Sequence, residues 1–95
     1  MPLEADTAVL VRYFAAAAAS AGTEQEEVAA HAAMTRSELQ QVLTTLHPVA
    51  PPGEKTRAQV LPQCSWLVNG VRHKDQGAAI VPAATVDVLP PFAGG

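Results

Sequence analysis

Residues 8–14 read AVLVRYF, and this stretch does most to decide the fold. Val9, Val11 and Tyr13 alternate with residues of a second face that includes Arg12. A period of two, carried by β-branched and aromatic side chains, is typical of a β-strand. We therefore predict a strand over residues 8–14.

Two weaker elements follow this strand. The five alanines of residues 15–19 favour one short turn of helix before Gly22, although so few residues need tertiary support. Residues 23–30 alternate roughly and predict a second strand. Its pair Glu26 and Glu27 is interpreted as a solvated face, which protects a sheet edge from unwanted pairing.

A helix is predicted over residues 36–47. Thr35 and Glu38 have the spacing of a capping box, in which the threonine hydroxyl and the glutamate each bind the other's backbone N–H. An apolar stripe then recurs at helical spacing and Pro48 ends the helix. The stripe consists of Leu39, Val42, Leu43 and Leu46.

The remaining segments read as loop, short helix, hairpin and strand. Three prolines make residues 48–53 a stiff loop, and residues 54–61 predict a short helix ended by Pro62. Asn69-Gly70 between two apolar runs predicts a β-hairpin with a type I′ turn. Residues 76–84 read as irregular, and residues 85–89 as the last strand.

This order of elements predicts an α+β fold with a mixed four- to five-stranded sheet and one main helix on one face. With the first and last strands parallel at the centre, the fold is a β-grasp, the ubiquitin-like architecture. We expect residues 1–89 to form this domain and residues 90–95 to form a flexible tail.

Composition excludes several functional classes. The chain has 95 residues, a formal net charge of −3 and one cysteine. It lacks the basic patch that nucleic acid requires, so no nucleic-acid partner is expected. A single cysteine gives no internal disulfide framework, and the apolar run before Gly22 is too short for a membrane span. We expect a cytoplasmic protein with no membrane partner.

The side chains offer little chemistry of their own. His31, His47 and His73 do not fall at metal-ligand spacing, so no metal site is predicted. Cys64 is interpreted as a small buried residue, and Trp66 as sheet packing. No phosphate-binding loop is present.

The final residues are the chemical candidate. Pro90 and Pro91 hold the chain extended, and six residues reach about 20 Å at ~3.3 Å each. Gly94 and Gly95 lack Cβ atoms and can enter a narrow channel. Such a tail could deliver the carboxylate of Gly95 into another protein's active site.

With these motifs the chain resembles the sulfur-carrier branch of the ubiquitin-like proteins, most closely the small subunits of molybdopterin synthase. The matching stretches are residues 11–15, 35–46, 67–70 and 85–95, about half of the chain. The first and last are the specific ones. The alanines at 16–19 depart from the family, whose members often carry charges there.

The resemblance implies that an adenylyltransferase related to ubiquitin-activating enzymes joins the Gly95 carboxylate to AMP from ATP. A sulfurtransferase then forms a thiocarboxylate, which the large subunit of molybdopterin synthase consumes. The catalytic groups would lie on these partners, and the carrier would bind no cofactor itself. Gly94 would accompany Gly95 into the partner's channel.

Partner binding is expected from the tail and from an apolar patch beside it. The tail residues are Pro90, Pro91, Phe92 and Ala93, and the patch would contain Phe14 and Leu89. The sequence leaves open whether these last two side chains form a docking patch or close the core. It also leaves open a carrier for cysteine, thiamine or another sulfur product, a ubiquitin-like modifier, and a binding module with an idle tail.

Overall fold

A computed structural model describes residues 8–30, 32–75 and 77–90. Within them the main sheet contains five strands: β1 (Ala8–Tyr13), β2 (Gln25–Ala29), β4 (Ser65–Val68), β5 (Val71–Arg72) and β7 (Thr85–Leu89). Their order across the sheet is β2-β1-β7-β4-β5. A second, two-stranded sheet pairs β3 (Met34–Thr35) with β6 (Ala79–Ile80).

Three helices complete the fold. They are α1 (Ala16–Ala21), α2 (Arg36–Leu46) and α3 (Arg57–Val60), and a 3₁₀ turn over Leu61–Gln63 follows directly. The predicted β-grasp is confirmed: a mixed sheet carries one main helix, and the additional helices are short.

The centre of the sheet joins the two most distant parts of the described chain. β7 runs parallel to β1, with Val11 opposite Val86 and Tyr13 opposite Val88. On its other side β7 pairs antiparallel with β4. The first and last strands therefore lie side by side, as the sequence predicts.

Helix α2 begins where the capping box places it. The Thr35 backbone N–H donates to Glu38 Oε1 at 2.9 Å, and the Glu38 N–H donates to Thr35 Oγ1 at 3.1 Å. Leu39 and Leu43 are fully buried against the sheet. Leu46 was predicted to belong to the same apolar stripe, but it is 57% exposed because it lies in the last turn.

The core fills the space between the sheet and α2. Trp66 and Tyr13 are buried in it, as predicted for sheet packing. The other large, fully buried side chains are Leu39, Leu43, Leu61, Ile80, Val9, Val11, Val86 and Val88.

Two segments differ from the sequence prediction. The helix predicted over residues 54–61 forms only at Arg57–Val60, and Pro62 lies inside the following 3₁₀ turn instead of ending the helix. A proline is tolerated there because the first N–H groups of a helical turn have no internal partner. The segment 76–84, predicted to be irregular, contains β6, whose Ile80 is buried opposite Met34. Two residues are too few to show a period in sequence.

The hairpin prediction is confirmed. Asn69 and Gly70 have φ angles of 51° and 82°, the left-handed values that a type I′ turn requires at both central positions. The Asn69 side chain also accepts a hydrogen bond from the Thr85 N–H at 2.9 Å. The turn is thereby tied to the start of β7.

Candidate functional site

The candidate site begins where β7 ends. Leu89 closes the strand and Pro90 follows it, and both are half-buried. β7 has a neighbour on each side, so the backbone that leads to the predicted tail is held at the middle of the sheet. The predicted tail residues Pro91, Phe92, Ala93, Gly94 and Gly95 lie outside the described residues.

Phe14 lies next to this exit. Its backbone N–H donates to the Val88 carbonyl at 3.1 Å, so the hydrogen bonding between β1 and β7 continues one residue past β1. The Phe14 side chain is 41% exposed. It therefore does not close the core, and Leu89 remains partly accessible beside it.

We call the surface of the main sheet opposite α2 the open face. Because side chains alternate along a strand, the residues between the core positions of β1, β7 and β4 point there. With the residues paired to them on β2 and β5, the open face comprises Leu10, Arg12, Phe14, Gln25, Glu27, Ser65, Leu67, Arg72, Thr85, Asp87 and Leu89. It brings together Phe14 and Leu89, the two residues predicted to form an apolar patch.

A salt bridge occupies the middle of the open face. Arg12 Nε lies 2.6 Å from Asp87 Oδ1, and Arg12 Nη2 lies 2.8 Å from Asp87 Oδ2. The Arg12 guanidinium carbon is also 6.0 Å from the centre of the Phe14 ring. The carboxylate of Asp87 raises the pKa of Arg12 further above its ordinary value, through hydrogen bonding first and charge second.

Sequence reasoning missed this salt bridge, although a signal was present. Arg12 and Asp87 occupy outward positions of the first and last strands, and each is a charged residue among apolar ones. Once those strands are placed side by side, opposite charges at outward positions are expected to pair across them.

A second charged cluster lies on the other face of the sheet, at its β2 edge. Arg57 is 2% exposed in its side chain, and its Nη2 lies 3.0 Å from Glu26 Oε2. The same Nη2 donates to the Ala21 carbonyl at 3.3 Å. His47 Nε2 lies 3.5 Å from Glu26 Oε2, and the Arg57 guanidinium carbon lies 5.2 Å from the centre of the Tyr13 ring.

This cluster corrects one prediction. Glu26 was interpreted together with Glu27 as a solvated face, but its side chain is only 16% exposed because it shares the core side of the sheet with Val28 and Val11. Glu27 is exposed, as predicted. The buried side chain of Arg57 is the reason that a glutamate can occupy this inward position.

No side-chain catalytic centre is evident in the described part of the chain. Residues 8–30, 32–75 and 77–90 contain no cluster of three or more histidine, cysteine or acidic side chains able to hold a metal. Burial raises the pKa of the Cys64 thiol to about 11, so it is protonated at neutral pH and a poor nucleophile. Of the other histidines, His73 is half-buried and His31 lies outside the described residues.

The described residues also contain no helix that could span a bilayer. A depression of about 330 Å³ lies beside Phe14 and is lined in part by Arg12, Ala15 and Gln25. It is too open and too polar to resemble a buried small-molecule site.

Solved structures share this fold. The molybdopterin converting factor subunit 1 of Pyrococcus furiosus superposes with a TM-score of 0.70 at 19% identity, over 90% of this chain and 99% of that one. Small archaeal modifier protein 1 of Haloferax volcanii gives 0.68 at 20% identity, over 90% and 99%. The modifier protein 1 of Methanosarcina acetivorans gives 0.64 at 20% identity, over 94% and 97%.

The similarity is structural. No protein-family model matches the chain, and no curated protein sequence matches it. The superpositions cover nearly all of each of these neighbours, so the chain shares their β-grasp fold.

Proposed function

We propose that this protein is a sulfur carrier whose Gly95 carboxylate is activated as an adenylate and converted to a thiocarboxylate. One observation carries the proposal: the central strand β7 of a β-grasp sheet leads at Leu89 directly into the sequence Pro-Pro-Phe-Ala-Gly-Gly. In such a fold the sheet fixes the position of Leu89, from which the predicted tail starts. The two glycines at the far end of the tail have no Cβ atoms, so the reactive carboxylate can enter a narrow channel.

The chemistry needs no side chain of the carrier. A carboxylate is a poor acyl donor, so it first attacks the α-phosphate of ATP, forming the acyl adenylate and releasing pyrophosphate. The terminal sulfur of a persulfide on a sulfurtransferase then displaces AMP and forms an acyl disulfide. A second cysteine thiolate of that enzyme attacks the enzyme's own sulfur in this disulfide, so the thiocarboxylate leaves and an enzyme disulfide remains for cellular thiols to reduce. These are nucleophilic displacements at activated centres, and the catalytic groups lie on the partners.

The sulfur acceptor is proposed to be the precursor of molybdopterin. The support is the structural neighbour from Pyrococcus furiosus, which is described as a molybdopterin converting factor subunit. The partners would be a ubiquitin-activating-like adenylyltransferase and sulfurtransferase and the large subunit of molybdopterin synthase. ATP would be bound by the adenylyltransferase, and the proposed location of the protein is the cytoplasm.

The proposed docking surface combines the tail with the part of the open face beside it. Phe14 contributes an exposed ring, and Leu89 and Pro90 contribute partly exposed apolar surface. Apolar contact with a partner would be favourable by roughly 25 cal/mol per Å² of surface covered. The residues 91–95 would then enter the partner's active site.

A ubiquitin-like modifier is the second candidate. The neighbours from Haloferax volcanii and Methanosarcina acetivorans are described as small archaeal modifier proteins, and they superpose about as well as the converting factor. In this case the adenylate of Gly95 would be attacked by a lysine amine of another protein, and an isopeptide bond would replace the thiocarboxylate.

Intact mass measurement separates the two candidates. The full chain is incubated with ATP, the adenylyltransferase and a sulfur donor, and a sulfur carrier gains about 16 Da because sulfur replaces one oxygen. A modifier instead leaves residues 75–95 attached to lysines of trypsin-digested targets, because Lys74 is the last site in the sequence at which trypsin cleaves. The starting mass also establishes whether Gly95 carries the free carboxylate.

The matched controls are deletion of Gly95 and addition of one alanine after it. Both should abolish the mass gain and leave the melting temperature unchanged, because neither change alters a residue of the described core. A mass gain that persists in either variant would contradict activation at Gly95. Sulfur transfer to a molybdopterin precursor in the presence of the large subunit tests the pathway.

A further inference from the structure

The salt bridge of the open face is placed where a docking protein would cover it. Arg12 and Asp87 lie in one cross-strand row that also contains Gln25, Leu67 and Arg72. Phe14 and Leu89 lie one step further toward the tail. A protein seated on these two apolar residues would therefore reach the salt bridge as well.

The two members of the salt bridge are unequally exposed. The Asp87 side chain is 11% exposed, whereas that of Arg12 is 45% exposed. The carboxylate is held down on the sheet with both oxygens bonded to Arg12. The accessible part of the salt bridge is therefore the outer edge of the guanidinium.

The guanidinium has donors left over. Arginine carries five N–H groups, and the two bonds to Asp87 use one on Nε and one on Nη2. The other three have no hydrogen-bond acceptor among residues 8–30, 32–75 and 77–90. A partner that covers Arg12 must offer oxygen acceptors to these groups, because a covered donor without an acceptor costs binding free energy.

The exposed guanidinium identifies the acceptor. Arg12, Arg72 and Asp87 lie in one row, and Glu27 lies opposite Leu10 in the next row of the same face, so these four residues carry no net formal charge and Arg12 is the exposed cation beside Phe14. A planar guanidinium edge matches a carboxylate better than it matches a single carbonyl.

Resting on the proposed function, we infer that the salt bridge between Arg12 and Asp87 determines which protein the carrier accepts. The occupant of the open face is a partner protein with an apolar surface around one carboxylate. Asp87 positions the guanidinium, Arg12 receives the carboxylate, and Phe14 supplies the apolar contact beside them. A partner without the carboxylate is rejected because it leaves the Arg12 donors unpaired.

If the salt bridge served only to stabilise the fold, a variant that removes both of its charges would bind the partner as well as the wild type does. Replacing a whole buried or partly buried salt bridge by apolar residues is often neutral for folding. The double variant Arg12→Met with Asp87→Leu should therefore remain folded. It also enlarges the apolar surface, which would strengthen binding if apolar contact alone selected the partner.

The experiment measures pyrophosphate exchange by the adenylyltransferase that activates the wild-type chain, with the full-length carrier as the varied substrate. The double variant should raise KM for the carrier by about tenfold or more with kcat within about twofold, since the reacting end is unchanged. Arg72→Met is the control for charge: it removes one positive charge from the same row, whereas the double variant changes no net charge.

A KM for the double variant within about threefold of wild type, or below it, overturns the inference, as does an equal effect of Arg72→Met. Salt provides a second readout: the wild-type KM should rise more steeply with ionic strength than that of the double variant. If KM depends equally on ionic strength in the wild type and the double variant, the partner places no carboxylate against Arg12. If the wild-type chain itself supports no exchange and behaves like the variant lacking Gly95, the proposed function fails and the inference fails with it.

Discussion

Replacing Arg57 by methionine should destabilise the protein strongly, although the residue is remote from the open face. Its guanidinium is almost completely buried and lies 3.0 Å from Glu26 Oε2, whose side chain is 16% exposed. The variant leaves Glu26 on the core side of the sheet without this cation. Among the described residues, His47 is the basic side chain that remains close to the carboxylate, at 3.5 Å and 49% exposed.

The expected cost follows from burial. Removing one partner of a buried salt bridge typically costs 3–5 kcal/mol. Glu26 lies on an edge strand and keeps some access to water, so we expect a value near the lower end, about 3 kcal/mol. For a domain of this size that loss lowers the melting temperature by roughly 12–24 °C.

The matched control is the double variant Glu26→Leu with Arg57→Met. The Nε and Nη1 atoms of Arg57 have no hydrogen-bond acceptor among the described residues, so the wild-type salt bridge is incompletely satisfied. The double variant should therefore lie within about 1 kcal/mol of wild type. Urea unfolding of the wild type, both single variants and the double variant gives the coupling energy directly.

Two outcomes would refute this reasoning. A cost below about 1 kcal/mol for Arg57→Met would mean that Glu26 escapes to solvent freely. A double variant as unstable as the single variant would mean that Arg57 acts through packing on Tyr13 and not through its charge.

Three further predictions concern α2 and the cysteine. Leu39→Ala should cost about 2–5 kcal/mol in urea unfolding, because Leu39 is fully buried, whereas the same change at exposed Leu46 should cost far less. Hydrogen bonds from the Thr35 backbone and side chain lower the pKa of Glu38 below its ordinary 4.5. The stability that ionised Glu38 contributes is therefore present above pH 4.5 and is lost as the pH falls through the lowered pKa. In thermal melts, the melting temperature of Glu38→Gln should fall less on acidification than that of the wild type. Alkylation of Cys64 in the folded protein should be slow at neutral pH and accelerate as the pH approaches about 11, whereas fast modification at neutral pH would contradict the burial of this thiol.

Much of the fold was predictable because its signals are local. The alternation of residues 8–14, the capping box of Thr35 and Glu38, and the Asn69-Gly70 turn each fix a backbone conformation through neighbouring residues. β6 was not predictable, since two residues carry no period and Ile80 is buried only through its pairing with Met34.

The candidate site was predictable in part for the same reason. Phe14 and Leu89 were identified from their positions in the two stretches that carry the family resemblance, and the structure brings them together on one face. The inward position of Glu26 depends on Arg57, which lies 31 residues away in the chain. Long-range pairing of this kind leaves no trace in the local pattern that assigns a glutamate to the surface.

The parallel pairing of β1 with β7 also sets an order of events during synthesis. β1 can pair early with β2, but its other edge stays open until residues 85–89 have been made. At typical translation rates, residues 30–84, which separate β2 from β7, take roughly 3–11 s to synthesise. During this time the open edge of β1 is a site for aggregation or chaperone binding. The five-stranded sheet therefore forms only after β7 has been synthesised, because β7 joins β1 to β4. A nascent chain that is arrested before β7 cannot form the open face.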